Sequence, residues 1–509
     1  MGFNYKKETV ALILAFVIVK LLLGFWLELG IDEAYYTVYA RKLEWSYFDH
    51  PPAVALLIRF FTLNGMLAKA WAVRLGAIAC YTGTAWLVYL TAARYRNAQT
   101  GFYACALFSL TFYGGIIGGF FMLPDAPLLL FWAAALYTIV CIHQAPVSSG
   151  SGSYYVLIFG LLCGLGFLSK AQAVFLWASL FLYFFRYRRS WLRKGVVYLS
   201  VCITVLLMLP VFYWQHLHGD AGIQYHQNRI VLSSIHPEYL VQEWAGEFFY
   251  QNPVILVLLI VITIQQLLKK KIHFWDPLSG IFLFASLPLL LVTWGIALFR
   301  ETLPHWNGPA YLALMILFSS PLARRPGRRF WLLIAAFFFC LVLLGGGLLV
   351  NYYPGTIGGK TADPYHYGEN DPTLDLYGYR KSLPEVKRVV DSIRQTGTGK
   401  IHFLLSDKWF PGGHIDFYLS RPLGIPLQVY GPIEDIHQFQ WLNPYQYKPK
   451  PGDTALYVGY SNMYHGVPDA LTARFQQQGT PILIPQFRSG KLVRYIILVL
   501  MIGYKEAAH

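Results

Sequence analysis

The acids best placed to do chemistry lie in residues 31–52, directly after the first hydrophobic run. Asp32 and Glu33 are adjacent, and Asp49 precedes His50 and two prolines. Carboxylates beside a bilayer are costly unless they face a bundle interior or a water-filled cavity, where they usually serve a substrate. Asp32 is therefore our candidate general base toward an acceptor hydroxyl. The alternative is a pair of interfacial acids without a function.

The Asp49-His50 pair could bind a divalent cation or orient a phosphate, but two ligands alone do not define a metal site. The alternative is a turn into an interfacial helix, fixed by Pro51 and Pro52. The prediction places Glu33, Tyr36, Asp49 and His50 in a substrate or metal cavity, and His218 is the second uncertain metal ligand. The loop around His218 holds three further candidates without a diagnostic spacing: His216, His226 and Arg229.

Two further charged residues interrupt apolar runs. Asp125, in LPDAP, opens a span, where an N-cap role competes with a place in a paired-carboxylate site facing Asp32. Lys170 follows GLLCGLGFLS at the break between two short spans. Lysine there either snorkels to the interface or binds a phosphate as a point charge, and we favour the phosphate.

Arg300 and His305 belong to the short segment RETLPHW. Positive-inside statistics disfavour a lone arginine in an outward loop, so Arg300 predicts an anionic partner. We assign both residues to the binding of a donor phosphate, together with Lys170.

The elements that must position these residues are membrane helices. Of the 509 residues 56% are hydrophobic and 13% charged, which excludes an ordinary soluble protein. The first apolar run is long enough to cross ~30 Å of hydrocarbon and lacks a cleavage site. About eleven spans are predicted, near residues 10–30, 68–92, 99–117, 124–143, 154–168, 171–186, 195–214, 251–268, 277–298, 309–321 and 330–350.

Basic residues mark alternate connections between these spans, which predicts a cytoplasmic N-terminus. They lie at Arg94 and Arg96, in 186–194, at 269–271 and in 324–329. The candidate site residues then share the outward face. Residues 1–351 form the predicted transmembrane domain, and residues 352–509 form a predicted extracytoplasmic α/β domain.

The C-terminal domain is predicted from short β-like runs and one amphipathic helix at 383–395. The runs are IHFLLS, TALYVGY and TPILIPQF, and the last apolar run, 495–503, is too short for a span and predicts a buried strand. The six cysteines all fall in apolar runs before residue 351, so we expect small core residues and no disulfide framework.

The net charge of +15 does not predict a nucleic-acid partner. Residues 1–351 hold 25 Lys and Arg against 13 Asp and Glu, so the excess lies in membrane-flanking loops. No phosphate-binding loop, dinucleotide fingerprint or nucleophile elbow is present, and we expect no nucleotide cofactor. A lipid-carried donor fits better, with its polyprenyl tail between spans and its phosphate at Lys170 and Arg300.

A family resemblance rests on six motifs in order, covering roughly residues 25–320. The motifs are DEAYY (32–36), YFDHPP (47–52), AVRLGA (72–77), LPDAP (123–127), GLGFLSKAQAV (164–174) and RETLPHW with PAYL (300–312). This succession resembles the bacterial dolichyl-phosphate-mannose-protein mannosyltransferase-like family of the GT-C superfamily, which includes the aminoarabinose transferases of lipid A.

The resemblance implies inverting transfer of a sugar from a polyprenyl phosphate at the periplasmic face of the bacterial inner membrane, with or without a metal ion. Asp32 would be the catalytic residue, Asp125 would lie near it, and Lys170 would neutralise the donor phosphate. The aminoarabinose transferases carry Glu-Lys where this chain has Asp49-His50. The acceptor is lipid A, another glycan or a protein. A flippase or transporter of lipid-linked saccharide is the alternative, but it would typically show internal repeat symmetry.

Overall fold

The computed structural model describes residues 4–147, 150–228, 234–268, 276–357, 362–395 and 400–505. The chain divides into two compact units. The first holds Met1–Leu22, Glu44–Leu57 and Arg74–Val342, and the second holds Leu23–Leu43, Ile58–Val73 and Leu343–His509. The sequence predicted a single boundary near residue 351. The structure instead groups two N-terminal segments, one of which carries Asp32, with the C-terminal domain.

Among the described residues, seven helices are long and apolar enough to cross a membrane. They are Tyr5–Trp26, Ala70–Tyr95, Asp125–Gln144, Gly150–Phe167, Gly195–Leu217, Pro277–Ala297 and Arg328–Tyr352. Four further predicted spans correspond to shorter helices: Ala98–Leu110, Phe175–Tyr187, Pro253–Leu268 and Gly308–Ala323. The count of eleven therefore stays a prediction, whereas the polytopic helical class is confirmed.

Shorter helical segments connect these elements. One of them, Pro237–Tyr250, meets the helix Pro253–Leu268 at a bend of 103°. Asn252 holds this corner, because its side-chain amide donates to the carbonyls of Leu110 (2.9 Å) and Ala335 (3.1 Å). The other connecting segments are Ile31–Tyr39, Ala53–Phe61, Tyr113–Ile117, Ala171–Val174, Arg189–Arg193, Ala221–Asn228 and Pro304–Asn307.

Small residues bring neighbouring helices of the first unit close together. A Cβ at Gly160 would lie 2.3 Å from the carbonyl oxygen of Ser200, so only glycine fits this crossing. The Ser200 hydroxyl donates to Val156 O at 2.5 Å, and the Thr204 hydroxyl donates to Gly160 O at 2.7 Å. Close approach of small residues and interhelical hydrogen bonds are what hold helices together in lipid.

Lys20, inside the first span, is buried within the first unit. Its ammonium donates to Gly115 O and lies 4.0 Å from the centre of the Tyr81 ring. A carbonyl and an aromatic face thus replace water around the charge. This contact gives Lys20, for which the sequence offered no role, a place in helix packing.

The second unit contains a six-stranded mixed sheet. Its strands are β1 (Ile401–Ser406), β2 (Leu427–Val429), β3 (Thr454–Tyr460), β4 (Phe475–Gln478), β5 (Ile482–Arg488) and β6 (Lys491–Tyr504). β1 pairs in parallel with β2 and β3, and β6 runs antiparallel to β3. The other edge of β6 is shared by β5 and β4. Ser489 and Gly490, both with positive φ, make the tight turn between β5 and β6.

The predicted α/β class of this domain is confirmed. The runs IHFLLS and TALYVGY are strands, and the last apolar run lies in the buried strand β6. The predicted helix at 383–395 begins earlier and spans Tyr379–Gln395. Helices flank the sheet, at Pro372–Leu376, Trp409–Ile415, Asp416–Ser420, Arg421–Leu423, Ile433–Ile436, Phe439–Gln446, Ser461–Met463 and Asp469–Thr472. Of the six free cysteines four are buried as expected, but Cys202 and Cys340 are exposed.

A fully buried ion pair connects the sheet to the segment that precedes it in the chain. Arg488 on β5 lies 3.4 Å from Asp371 and donates to the carbonyls of Val350, Tyr353 and Gly355. Both side chains are inaccessible to solvent. The arginine therefore satisfies the carbonyl groups at the end of the last long helix, which would otherwise be left unpaired.

Candidate functional site

The central feature of the first unit is a buried ion pair between Asp125 and Lys170. The Lys170 ammonium lies 3.0 and 2.9 Å from the two carboxylate oxygens. Both residues are under 8% exposed. Asp125 is the first residue of the helix Asp125–Gln144, whose N-cap position is held by Pro124. The helix start therefore aims the carboxylate at Lys170, which lies in the extended break before Ala171–Val174 as the sequence predicted.

Tyr113 completes this centre. Its hydroxyl donates to Asp125 Oδ1 at 2.9 Å. Tyr113 begins a π-helical turn, Tyr113–Ile117, a type of distortion that is frequent at functional sites. A Cβ at Gly308 would lie 2.0 Å from the Tyr113 ring, so glycine at the start of the helix Gly308–Ala323 makes room for it. Tyr113 was not predicted from the sequence, although the glycine-rich run that follows it was an available signal.

Asp49, His50 and His305 belong to the same charge cluster. His305 interacts electrostatically with Asp125, and His50 interacts with Asp49, Asp125 and Lys170. The backbone carbonyl of Asp49 accepts a hydrogen bond from His226 Nε2 at 3.0 Å. Five of the predicted site residues are thus brought together in the first unit, and His226 joins them.

His50 is neutral in this environment. Loss of hydration lowers the pKa of the half-buried imidazole to about 3, and the nearby Lys170 charge acts in the same direction. A neutral imidazole can donate or accept a hydrogen bond but cannot supply the positive charge of a lysine. His50 therefore does not replace a phosphate-binding lysine as a charge, and Lys170 is the cation of the cluster.

The role of Asp49 and His218 as metal ligands stays a prediction. The ring of His218 stacks on Trp214 with centroids 3.9 Å apart, and its Nδ1 bonds the Trp214 carbonyl at 2.7 Å. Within the ranges given above, no three His, Cys, Asp or Glu side chains are grouped to hold a metal ion. Arg229 lies outside the described residues, and His216 is exposed.

Asp32 lies in the second unit, in the first turn of the helix Ile31–Tyr39, and its side chain is exposed. Glu33 is buried, and its Oε2 accepts a hydrogen bond from Gly30 N at 2.9 Å. Tyr36 is buried between the rings of Tyr35 and Tyr39. The two adjacent acids thus point differently, as a helix requires. Glu33 acts as a helix cap, and its place in a cavity, like the pairing of Asp32 with Asp125, stays a prediction.

The comparisons with known proteins agree with the motifs. The family model described as dolichyl-phosphate-mannose-protein mannosyltransferase matches residues 49–214. The chain is 25% identical over 292 residues to the lipid A galacturonosyltransferase RgtD of Rhizobium johnstonii, covering 56% of this chain and 59% of that protein. The chain thus spans less than two thirds of this relative's length.

Solved structures extend the similarity over nearly the whole chain. ArnT from Cupriavidus metallidurans in the apo state superimposes with a TM-score of 0.61 at 14% identity, covering 97% of this chain and 98% of ArnT. The chain has an ArnT-like fold. ArnT bound to undecaprenyl phosphate matches equally, with a TM-score of 0.61, 15% identity and coverage of 96% and 97%. The family resemblance expected from the motifs thus agrees with the family model and with RgtD.

The ArnT-like fold of this chain also contains a pair of buried glutamates that were not predicted from the sequence. Glu243 and Glu247 lie one turn apart on Pro237–Tyr250, each 2% exposed. The Thr302 hydroxyl donates to Glu243 at 2.7 Å, and Tyr311 donates to Glu247 at 2.6 Å. The Asn307 amide donates to both carboxylates. Two acids four residues apart in an apolar helix were the signal.

These contacts hold the segment that carries Arg300 and His305. A Cβ at Gly246 would lie 2.1 Å from Pro304, so helix Pro237–Tyr250 packs directly on Pro304–Asn307. Thr302 and Asn307 flank His305 on both sides and are tied to the glutamate pair. The network therefore gives His305 a fixed base beside the Asp125 cluster. Arg300 is half-buried at the start of this segment, and its binding role stays a prediction.

Proposed function

We propose that this chain is an inverting glycosyltransferase that moves a sugar from a polyprenyl-phosphate donor to an envelope acceptor. The observation that carries the proposal is the buried Asp125–Lys170–Tyr113 centre within an ArnT-like fold. A buried lysine held by a carboxylate keeps its charge where solvent is excluded, which suits binding of a phosphate. The proposal also draws on the ArnT structure bound to undecaprenyl phosphate.

The proposed reaction is a single displacement. The acceptor oxygen attacks the anomeric carbon on the face opposite the phosphate, and the sugar–phosphate C–O bond breaks as the new bond forms. The polyprenyl phosphate leaves with the electron pair, and Lys170 stabilises its charge. Asp32 takes the proton of the acceptor hydroxyl as general base. Arg300 and His305 complete the phosphate contacts, and Asp125 keeps Lys170 charged and in position.

Lipid A is the acceptor that we favour, because the curated relative RgtD is a lipid A galacturonosyltransferase. Another envelope glycan or a protein is the remaining possibility within the same reaction. The donor sugar is open between hexosyl and pentosyl groups. We further propose that the enzyme lies in the bacterial inner membrane, with its N-terminus in the cytoplasm and residues 352–509 in the periplasm.

A divalent cation belongs to the proposal only as an expectation from the Asp49-His50 motif. Transfer measured in EDTA, and again with added Mg²⁺ or Mn²⁺, decides whether a cation is required. Unchanged rates in EDTA would remove the metal from the account.

A product assay tests the proposal directly. Purified protein in lipid nanodiscs is given polyprenyl-phosphate galacturonic acid, aminoarabinose or hexose, with lipid A, core oligosaccharide or a membrane-protein extract as acceptor. We expect one glycosylated product by mass spectrometry, with inverted anomeric configuration by NMR. A flippase instead gives no product but moves a fluorescent polyprenyl-phosphate sugar across a proteoliposome bilayer, and that result would replace the proposal.

A further inference from the structure

We propose that residues 408–421 of the C-terminal domain, here called the clamp segment, position Asp32 for catalysis. The inference rests on the proposed function of Asp32. It assigns the periplasmic domain a part in the transfer step, with Asp416 and Arg421 as positioning residues. All contacts that carry it lie within the second unit, between the clamp segment or its neighbours and the helix Ile31–Tyr39.

The N-terminal end of the Asp32 helix is held through its preceding turn. Tyr418 OH accepts a hydrogen bond from Leu29 N at 2.7 Å, and His414 Nε2 donates to Leu29 O at 3.0 Å. Glu28 accepts from the backbone N–H group of Tyr379 at 2.8 Å. Each contact fixes backbone or a buried side chain within four residues of Asp32. The three contacts thus fix the turn that leads into the helix.

The C-terminal end of the helix is held by a buried carboxylate. Asp416 is 0% exposed and accepts from Arg41 at 2.5 Å and from Arg421 at 2.7 Å. Arg421 also donates to the carbonyl of Thr37 at 3.0 Å. An arginine fork at the last turn satisfies a carbonyl that no intrahelical bond uses and complements the negative end of the helix dipole.

Between these two ends, one face of the helix packs closely against the clamp segment. A Cβ at Gly413 would lie 2.7 Å from Tyr35 N, so the clamp segment approaches the helix as closely as glycine allows. The Tyr35 ring lies 5.0 Å from that of Trp409, and its hydroxyl accepts from Gln438 N at 3.0 Å. Asp32 itself is exposed on this fixed helix. The helix is thus anchored at both ends and along one side, which leaves Asp32 on a rigid base.

Asp416→Asn tests the assignment, because it removes the charge that holds Arg41 and Arg421 while preserving shape. Asp371→Asn is the matched control, since it breaks another buried ion pair of the same unit that does not touch the Asp32 helix. Displacement of a reacting group by about 1 Å can lower a rate about 100-fold. We expect Asp416→Asn to reduce single-turnover transfer about 10- to 100-fold at unchanged donor affinity, and Asp371→Asn to keep the rate per folded molecule.

Arg421→Lys and Arg421→Ala provide the second comparison. Lysine keeps the charge toward Asp416 but loses the planar fork that also reaches Thr37. We expect a graded loss of rate, with lysine between wild type and alanine. Equal rates for wild type, Arg421→Lys and Arg421→Ala, or an equal loss in Asp416→Asn and Asp371→Asn, would overturn the positioning role.

Hydrogen exchange separates failure of this inference from failure of the proposed function. Amides of residues 31–39 should exchange faster in Asp416→Asn than in wild type or Asp371→Asn. If the wild-type chain transfers no sugar, the proposed function fails, and the exchange data still decide whether Asp416 holds the helix. Unchanged exchange at 31–39 in Asp416→Asn would contradict the clamp.

Discussion

Asp125 and Lys170 are 45 residues apart in the chain but share one buried ion pair. Removal of either partner leaves an uncompensated buried charge, which costs about 3–5 kcal/mol. Loss of activity in Lys170→Ala alone would therefore not distinguish a phosphate-binding role from a structural one. The double variant Asp125→Asn with Lys170→Met removes both charges together and therefore separates the phosphate-binding role from the structural one.

For the double variant we predict recovery of the folded protein without recovery of transfer. The membrane-extracted yield and apparent unfolding temperature should return toward wild type, since no lone charge remains. Donor affinity should stay at least about 10-fold weaker, because the phosphate has lost its lysine. Recovery of both stability and transfer would show that Lys170 serves only to neutralise Asp125.

His414 carries a pH prediction. Burial lowers its pKa from 6.5 to about 3, so the folded state keeps it neutral while the unfolded chain protonates it near pH 6.5. Its contribution to stability is therefore complete above pH 6.5 and declines as the pH falls from 6.5 toward 3. The measurement is apparent unfolding temperature against pH for wild type and His414→Gln. The wild-type advantage should shrink between pH 7 and pH 5, and a constant or growing advantage would contradict the prediction.

The charged residues of the site could be predicted from the sequence, but the uncharged residues that hydrogen-bond to the acidic groups could not. Asp125 and Lys170 stand out because charge is rare in apolar runs, and the structure groups them with Asp49, His50 and His305 from two polar segments. Tyr113 and Asn307 do not stand out, since both are uncharged and neither belongs to a recognisable motif. Their roles depend on packing between segments far apart in the chain, which local residue patterns do not reveal.

At the scale of elements, Gly308 fixes the position of Tyr113. Gly308→Ala inserts a methyl group against the Tyr113 ring, and overpacking of this kind costs about 1–3 kcal/mol. We predict a lower apparent unfolding temperature and slower transfer, because the Tyr113 hydroxyl is pushed off Asp125. Gly295→Ala, where a Cβ meets open space, is the control and should be neutral or stabilising. Equal behaviour of the two variants would remove Gly308 from the site.

Elements were predicted well where one local pattern decides them. The strands β1, β3 and β6 follow from short β-branched and aromatic runs between turn residues. Lengths of the membrane helices were predicted less well, because apolar runs continue through breaks. The predicted span 99–117, for example, covers both the helix Ala98–Leu110 and the separate π-helical turn Tyr113–Ile117. Hydropathy alone does not register such a break.

At the scale of the whole molecule, the grouping of residues 23–43 with the C-terminal domain was not predictable from composition. The contacts that create it, such as Arg41 with Asp416, join segments 375 residues apart. The proposed role of Asp32 therefore depends on a domain at the other end of the chain. A truncated chain ending near residue 351 should lose this support.

Orientation in the membrane is testable in a cysteine-free background. Arg388→Cys lies on an exposed face of Tyr379–Gln395, and Arg189→Cys lies in a basic connection predicted to be cytoplasmic. An impermeant maleimide should label Arg388→Cys in intact spheroplasts and label Arg189→Cys only after permeabilisation. The reverse pattern would overturn the proposed periplasmic site.

The most direct test of the central claim is single-turnover transfer at saturating donor by Asp32→Asn, with Glu33→Gln as control. General-base catalysis contributes about 10²- to 10⁴-fold, so Asp32→Asn should lose that much rate while donor affinity is unchanged. Glu33→Gln should stay within about threefold, because an amide oxygen still accepts from Gly30 N. Full-rate transfer by folded Asp32→Asn would contradict the account.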